Sequence, residues 1–216
     1  MPTIRPIQRT GVASDPTKTS RWPRTDRRGQ RIAEVLAHRQ PTLTVVLENV
    51  HDPHNVAAVL RSCDAVGVLA LHMVYTVEAP PARLARTTSG SANKWIEVVR
   101  HDSIEGCYAR LHGEGKRIVV TALDGGSVDL HHQDFVEPVA VVFGNEQRGA
   151  STEAVELADG TVFIPMMGMV ESLNISVACA VTLYEAMRQR RDAGLYDSPQ
   201  VSAAELARMG EEWLER

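Results

Sequence analysis

Several features that would narrow the function at once are scarce in this 216-residue chain. There are only three cysteines, Cys63, Cys107 and Cys179, odd in number and widely spaced. That pattern excludes the disulfide framework of a small secreted domain and predicts reduced, structural thiols in the cytoplasm. No apolar run is long enough to span a membrane. The N-terminus lacks the apolar stretch of a secretory signal. No G-x-G-x-x-G turn follows a strand, since Gly144 and Gly149 stand too far apart and too late. His51 and His54 flank Asp52-Pro53, but one carboxylate and no third histidine give too few converging ligands. No metal is therefore expected.

Charge is also slight overall, at −4, yet it is unevenly divided. Residues 1–31 carry eight basic side chains against Asp15 and Asp26, a net +6, which leaves −10 on the remainder. A basic arm on an acidic body suits phosphate contacts, and a solvated tail would have the same composition. Pro2, Pro6, Pro16 and Pro23 argue against regular structure there.

What is present fits one globular unit: 44% hydrophobic and 23% charged residues in a chain of single-domain length. Thr25 or Asp26 can cap a first helix running to about Arg39, with Ile32, Val35 and Leu36 on one side and Arg27, Arg28, Arg31 and Arg39 on the others. Short β-branched runs predict strands near residues 43–47, 69–75, 95–99, 118–123, 139–143 and 162–164. A turn-rich stretch occupies 78–91. Helices are predicted from Asn55 to Gly67, from Asp102 or Ser103 to His112, near 151–158, from Ser172 to about Ala193 and from Ser202 through Leu214. Alternating strands and helices predict an α/β fold, a parallel sheet with flanking helices.

Three segments stand out. The first is ENVHDPHNVAAVLR at 48–61, the second VAVVF-GNEQRG at 139–149, and the third IPMMGMV-ESLNISV at 164–177. Each leaves a strand through a polar loop and enters a helix. Ligands of parallel sheets sit beyond the carboxyl ends of strands, so these loops are where chemistry is expected.

Together the three segments resemble the motifs of the SpoU/TrmH family of RNA ribose 2′-O-methyltransferases, within the SPOUT superfamily. The likeness runs from about Thr25 to the C-terminus, and SLNIS after IPMMGMVE is its most specific part. It implies a SPOUT-type C-terminal trefoil knot, S-adenosylmethionine as cofactor, tRNA as partner and a homodimer with each site near the subunit interface. It divides the chain into a basic extension at 1–24, a basic helix at 25–40, the methyltransferase domain at 41–195 and a helical extension at 196–216. The extent of the match implies methylation of the ribose 2′-oxygen of guanosine 18 in the tRNA D-loop. Ribosomal RNA ribose methylation and a non-catalytic RNA-binding module are the alternatives.

By the same resemblance Arg61, Asn55, Glu146, Ser172 and Asn174 are the catalytic candidates. Thr121, Gly144, Ile164, Met167 and Leu173 would hold the cofactor, largely through main-chain atoms. Packing in the core would also account for Ile164, Met167 and Leu173. Arg61 is a poor literal base, because a guanidinium keeps its proton under nearly all conditions. Its expected work is to stabilise charge developing on the 2′-oxygen while gripping a phosphate. Glu146 is expected to accept from Arg61 or Asn174. Asn55 and Ser172 are also natural helix caps. Arg28, Arg31, His54, Arg188 and Arg190 are the expected RNA contacts, although Arg188 equally suits the end of a helix.

Overall fold

The computed structural model describes residues 24–77 and 92–216. The expected extension before Arg24 and the turn-rich stretch at 78–91 lie outside the described residues. Seven strands form one sheet: β1 (Leu43–Glu48), β2 (Ala70–Val74), β3 (Glu97–His101), β4 (Arg117–Thr121), β5 (Val128–Asp129), β6 (Val139–Phe143) and β7 (Gly160–Phe163). Their order is β3-β2-β1-β6-β4-β7-β5, and every pairing is parallel. The two central strands, β1 and β6, are buried at every position, as apolar runs covered on both faces should be.

Among the described residues six α-helices and one short 3-10 helix (Ala92–Lys94) accompany the sheet: α1 (Arg24–Ala37), α2 (Pro53–Val66), α3 (Ile104–Gly113), α4 (Thr152–Glu156), α5 (Ile175–Asp192) and α6 (Ala203–Glu215). One face of the sheet presents Val45, Leu47, Val119, Val141 and Phe143 to the same core as Val56, Leu60 and Cys63 of α2 and Cys179, Leu183 and Ala186 of α5. The opposite face presents Val46, Val120 and Val142 to Ile104, Cys107 and Leu111 of α3. Period-two alternation thus divides each strand between two cores. On that second face, burial, with His101 and Arg110 beside it, lowers the His72 imidazole to about 4. Away from the sheet, α1 and α6 close a smaller cluster of Ile32, Leu36 and Trp213.

Helix starts depart from the expected ones in three places. The N-cap of α2 is Asp52, whose carboxylate accepts from the His54 amide at 2.8 Å, with Pro53 in the first turn. Asn55 is therefore already inside the helix, and its side chain is released from capping. The cap of α5 is Asn174 rather than Ser172; its side chain accepts from the Ser176 amide at 2.9 Å. At the other end of the chain, α1 extends from Arg24 to Ala37, so Arg39 is not on it. Arg39 is instead fully buried, donating to the Val68 carbonyl at 2.9 Å and lying 5.0 Å from the Trp213 ring. The expected caps Ser103 and Ser202 hold, as does Gly67, in the left-handed region at φ 88° where α2 stops.

Candidate active site

The chain leaves β1 toward β2 on one side of the sheet, while β6 lies on its other side. The gap beyond the carboxyl ends of β1 and β6 is thus the place where the strand order reverses, the favoured crevice of a parallel sheet. A cleft of about 340 Å³ opens there, lined by His51, Asp52, Asn55, Asn145, Glu146, Gln147 and Asn174. All three segments singled out in the sequence meet in it.

Three of its side chains form one relay. Asn174 Nδ2 donates to Asn55 Oδ1 at 3.1 Å, and Asn55 Nδ2 donates to Glu146 Oε1 at 3.0 Å. Asn174 Oδ1 meanwhile accepts from the Ser176 hydroxyl at 2.6 Å as well as from its amide. The Glu146 carboxylate only accepts, so it fixes which way the Asn55 amide faces, and Asn55 in turn fixes Asn174. Glu146 does accept a hydrogen bond across the cleft, but from Asn55 rather than from Arg61 or Asn174. Each amide NH2 has two hydrogens, and each spends one in the relay. Among the described residues the second N–H of Asn55 and of Asn174 makes no hydrogen bond.

Asn49 and Asn145 set the walls of the cleft. Asn49 sits in the left-handed region at φ 52° and is nearly buried. Its Oδ1 accepts from the amides of Thr76 and Val77 at 3.0 and 3.2 Å, and its carbonyl accepts from Asn145 Nδ2 at 2.8 Å. Asn145 Oδ1 accepts from the amides of Gln147 and Arg148, and Asn145 and Gly149 exchange both backbone bonds at 2.9 Å. This loop folds so tightly that a Cβ on Gly144 would overlap the backbone of Gly149 and Ala150. Neither Asn49 nor Asn145 is among the site candidates drawn from the sequence. The signal was available: asparagine is among the few residues besides glycine that enter the left-handed region readily, and here one ends a strand.

Arg61 is not part of this assembly. Six residues at 3.6 per turn place it about 120° round α2 from Asn55. It is exposed, it does not line the cleft, and it makes no hydrogen bond or ion pair among the described residues. Ser172 is exposed as well, two residues ahead of the cap.

The expected cofactor residues stand at the carboxyl ends of three neighbouring strands, β6, β4 and β7. Thr121 Oγ1 donates to the Val142 carbonyl at 2.9 Å, tying β4 to β6. Gly144 follows β6, while Ile164 and Leu173 bound the loop after β7, with Ile164 packed against the core. Met167 is 95% exposed, and Leu123, Met169 and Val170 beside the same strand ends are exposed too. These exposed apolar side chains suit a ligand that is part apolar, as S-adenosylmethionine is.

Four of the expected RNA contacts already have partners within the chain. Arg190 has no exposed surface and donates to Phe135 O, Gln40 Oε1, Thr42 Oγ1, Thr42 O and Glu137 O. A guanidinium has five N–H groups, so none remains for a phosphate, and Arg190 is withdrawn as an RNA contact. Burial pulls it down to about 10. Arg188 is exposed but ion-paired with Glu185 at 2.7 Å and Asp192 at 3.1 Å. Arg28, Arg31 and His54 are exposed, with Arg28 donating to the Trp213 carbonyl at 3.5 Å and Arg31 paired with Glu34 at 3.2 Å.

A model of the SpoU rRNA Methylase family matches residues 42–184, which include every element of the cleft. The chain belongs to this family. Its SpoU-type core extends into close relatives. It is 47% identical over 193 residues to a tRNA (guanosine(18)-2′-O)-methyltransferase of Thermus thermophilus, covering 89% of this chain and 98% of that one. The crystal structure of the Aquifex aeolicus TrmH/SpoU tRNA modifying enzyme superposes with a TM-score of 0.83 at 38% identity, covering 88% of this chain and 96% of that one. The SpoU methyltransferase AviRb from Streptomyces viridochromogenes, solved in complex with AdoMet, superposes with a TM-score of 0.62 at 28% identity, covering 72% of this chain and 59% of that one.

Proposed function

We infer that the chain uses S-adenosylmethionine to methylate the ribose 2′-oxygen of guanosine 18 in the D-loop of tRNA. The observation that carries this is the 47% identity sustained over 98% of the length of the Thermus tRNA enzyme. Ribosomal RNA enzymes of the family also match much of the chain, but at lower identity, 34% over 182 residues. The likeness to the tRNA enzymes is stronger, 47% over 193 residues, and covers more of both chains.

In the reaction the ribose 2′-oxygen forms a bond to a methyl carbon, the carbon–sulfur bond breaks and the hydroxyl proton leaves. When bound, S-adenosylmethionine supplies that methyl already activated on a sulfonium centre. What the protein adds is orientation and charge. Thr121, Gly144, Ile164, Met167 and Leu173 form the shelf for the cofactor. The spare N–H groups of Asn55 and Asn174 orient the ribose, and Glu146 holds both amides in register. Arg61 grips the adjoining phosphate and stabilises the negative charge that grows on the 2′-oxygen. Arg28, Arg31 and His54, with the basic residues preceding α1, engage the tRNA backbone.

Arg61 reaches a cleft through dimerisation. Val177, Val181 and Tyr184 form an exposed apolar stripe at i, i+4 and i+7 of α5. A second copy covers this stripe, and Arg61 of each protomer serves the cleft of the other. The C-terminal part carries the trefoil knot of the family, and β6 inserted between β1 and β4 suits that threading. The methyltransferase domain occupies 41–195, between the basic N-terminal helix and the C-terminal helical extension. No helix among the described residues is long and apolar enough to cross a membrane.

The test is incubation with unmodified tRNA and methyl-labelled S-adenosylmethionine, followed by mapping of the modified nucleotide. Label on the 2′-oxygen of guanosine 18 is expected. Label on another nucleotide, or on ribosomal RNA alone, overturns the reading.

A further inference from the structure

On the face of the sheet turned away from the cleft, three side chains with metal-binding atoms meet. His72 lies in β2 opposite Val99, and His101 ends β3 opposite Val74. His72 and Val74 share a face, so the register delivers both imidazoles to the same side. Cys107, in the second turn of α3, packs on that side. His72 Nδ1 lies 3.0 Å from His101 Nε2 and 4.0 Å from Cys107 Sγ, and all three ligand atoms fall within 4.8 Å of one another. His72 and Cys107 are buried, while His101 is half-exposed and opens the group to solvent on one side.

We propose that His72, His101 and Cys107 bind one zinc-class divalent cation. Zinc bonds to nitrogen are about 2.0–2.1 Å and to sulfur about 2.3 Å, so a tetrahedral ion sets its ligands about 3.3 Å apart for two nitrogens and about 3.6 Å for nitrogen and sulfur. The observed 3.0 and 4.0 Å bracket two of those edges, and the third pair, His101 Nε2 and Cys107 Sγ, lies within 4.8 Å, so side-chain rotation of the half-exposed His101 brings all three atoms onto one centre. Two imidazoles with one thiolate are a borderline-soft set that suits zinc. The ion takes the place of the thiol proton, and water completes the fourth position from the His101 side. The nearby cations do not bar it: Arg110 and Lys116 are both paired with Glu114. The ligands are scattered, 29 residues from His72 to His101 and six more to Cys107, so no compact spacing marks them in the sequence. The site clamps β2, β3 and α3 together and takes no part in methyl transfer.

The full-length protein, stripped with a chelator, is titrated with zinc against a chromophoric competitor and separately with cobalt. One ion per chain is expected, with a sulfur-to-cobalt charge-transfer band in the near ultraviolet and the intense visible bands of tetrahedral cobalt. Cys107→Ser should abolish the sulfur band, and both Cys107→Ser and His101→Gln should weaken zinc binding about tenfold or more. Cys63→Ala should leave the band and the stoichiometry as they were. If Cys107→Ser does not fold, the half-exposed His101→Gln variant carries the test. Zinc uptake well below one ion per chain, or uptake unchanged by both ligand variants, overturns the proposal and leaves an imidazole–imidazole hydrogen bond in its place.

Discussion

The two ends of α5 both carry dense polar networks, and they serve opposite purposes. At its far end Arg190 donates through all five N–H groups and is sealed from solvent. At its start Asn174 and Asn55 pass one hydrogen bond each along to Glu146 and keep one N–H in reserve, facing an open cleft. A satisfied network is structure; one with a donor left over has capacity for a ligand. The difference lies in the account of partners, not in the residue types.

Arg190→Ala should produce the largest loss of stability, about 3 kcal/mol or more, because the carbonyls of Phe135, Thr42 and Glu137 lose a charged donor and a fully buried side chain leaves a void. Denaturant unfolding measures it. Turnover per folded molecule should stay near the parent value, and a selective loss of tRNA affinity would return Arg190 to the RNA surface. At the other end Asn174→Asp should reverse this pattern. The carboxylate still caps α5, so the melting temperature should change little. It cannot donate to Asn55, so kcat should fall about 100-fold or more.

Arg61 sharpens the comparison further, since it stands outside the cleft of its own protomer. Arg61→Ala and Asn174→Ala should each be nearly inactive. Co-expressed at equal amounts under different tags, they should recover about a quarter of parental activity, because half of the dimers contain one complete site. No recovery would place Arg61 and Asn174 in the same protomer's site.

Smaller effects are expected where the side chain is exposed. Arg188→Ala should cost about 0.5–1 kcal/mol at neutral pH. The Arg188 guanidinium holds the Glu185 carboxyl below its usual 4.5. That stabilisation is present above the usual carboxylate range and is lost as pH falls through the lowered value. The two proteins should therefore converge in stability at acid pH. Least of all, Ser172→Ala should leave turnover within about twofold, since Asn174 is the cap; a large loss would bring Ser172 into the reaction.

Much of this was legible in the sequence, for physical reasons. Buried parallel strands such as residues 43–47 and 139–143 must be apolar throughout, and the loops after them must be polar, so strand ends and site loops announce themselves. The short β5 did not, because two residues carry no periodicity. Capping was misplaced where several residues could each cap: Asp52 and Asn55, or Ser172 and Asn174, differ only in backbone angles that the sequence does not print. The fate of Arg190 depended on acceptors up to 150 positions away, and that of His72 on a partner 29 residues on. Pattern reading is local, and these contacts are not.

The central ladder of the sheet joins residues 43–47 to residues 139–143. While the ribosome is still making the chain, β1 can pair with β2 on one side, and its other edge stays bare until about two thirds of the polypeptide has emerged. Long-range pairing of this kind slows folding and leaves an adhesive edge in the meantime. A nascent chain of this design therefore depends on chaperones or on swift completion, and fragments ending before β6 should clump rather than fold.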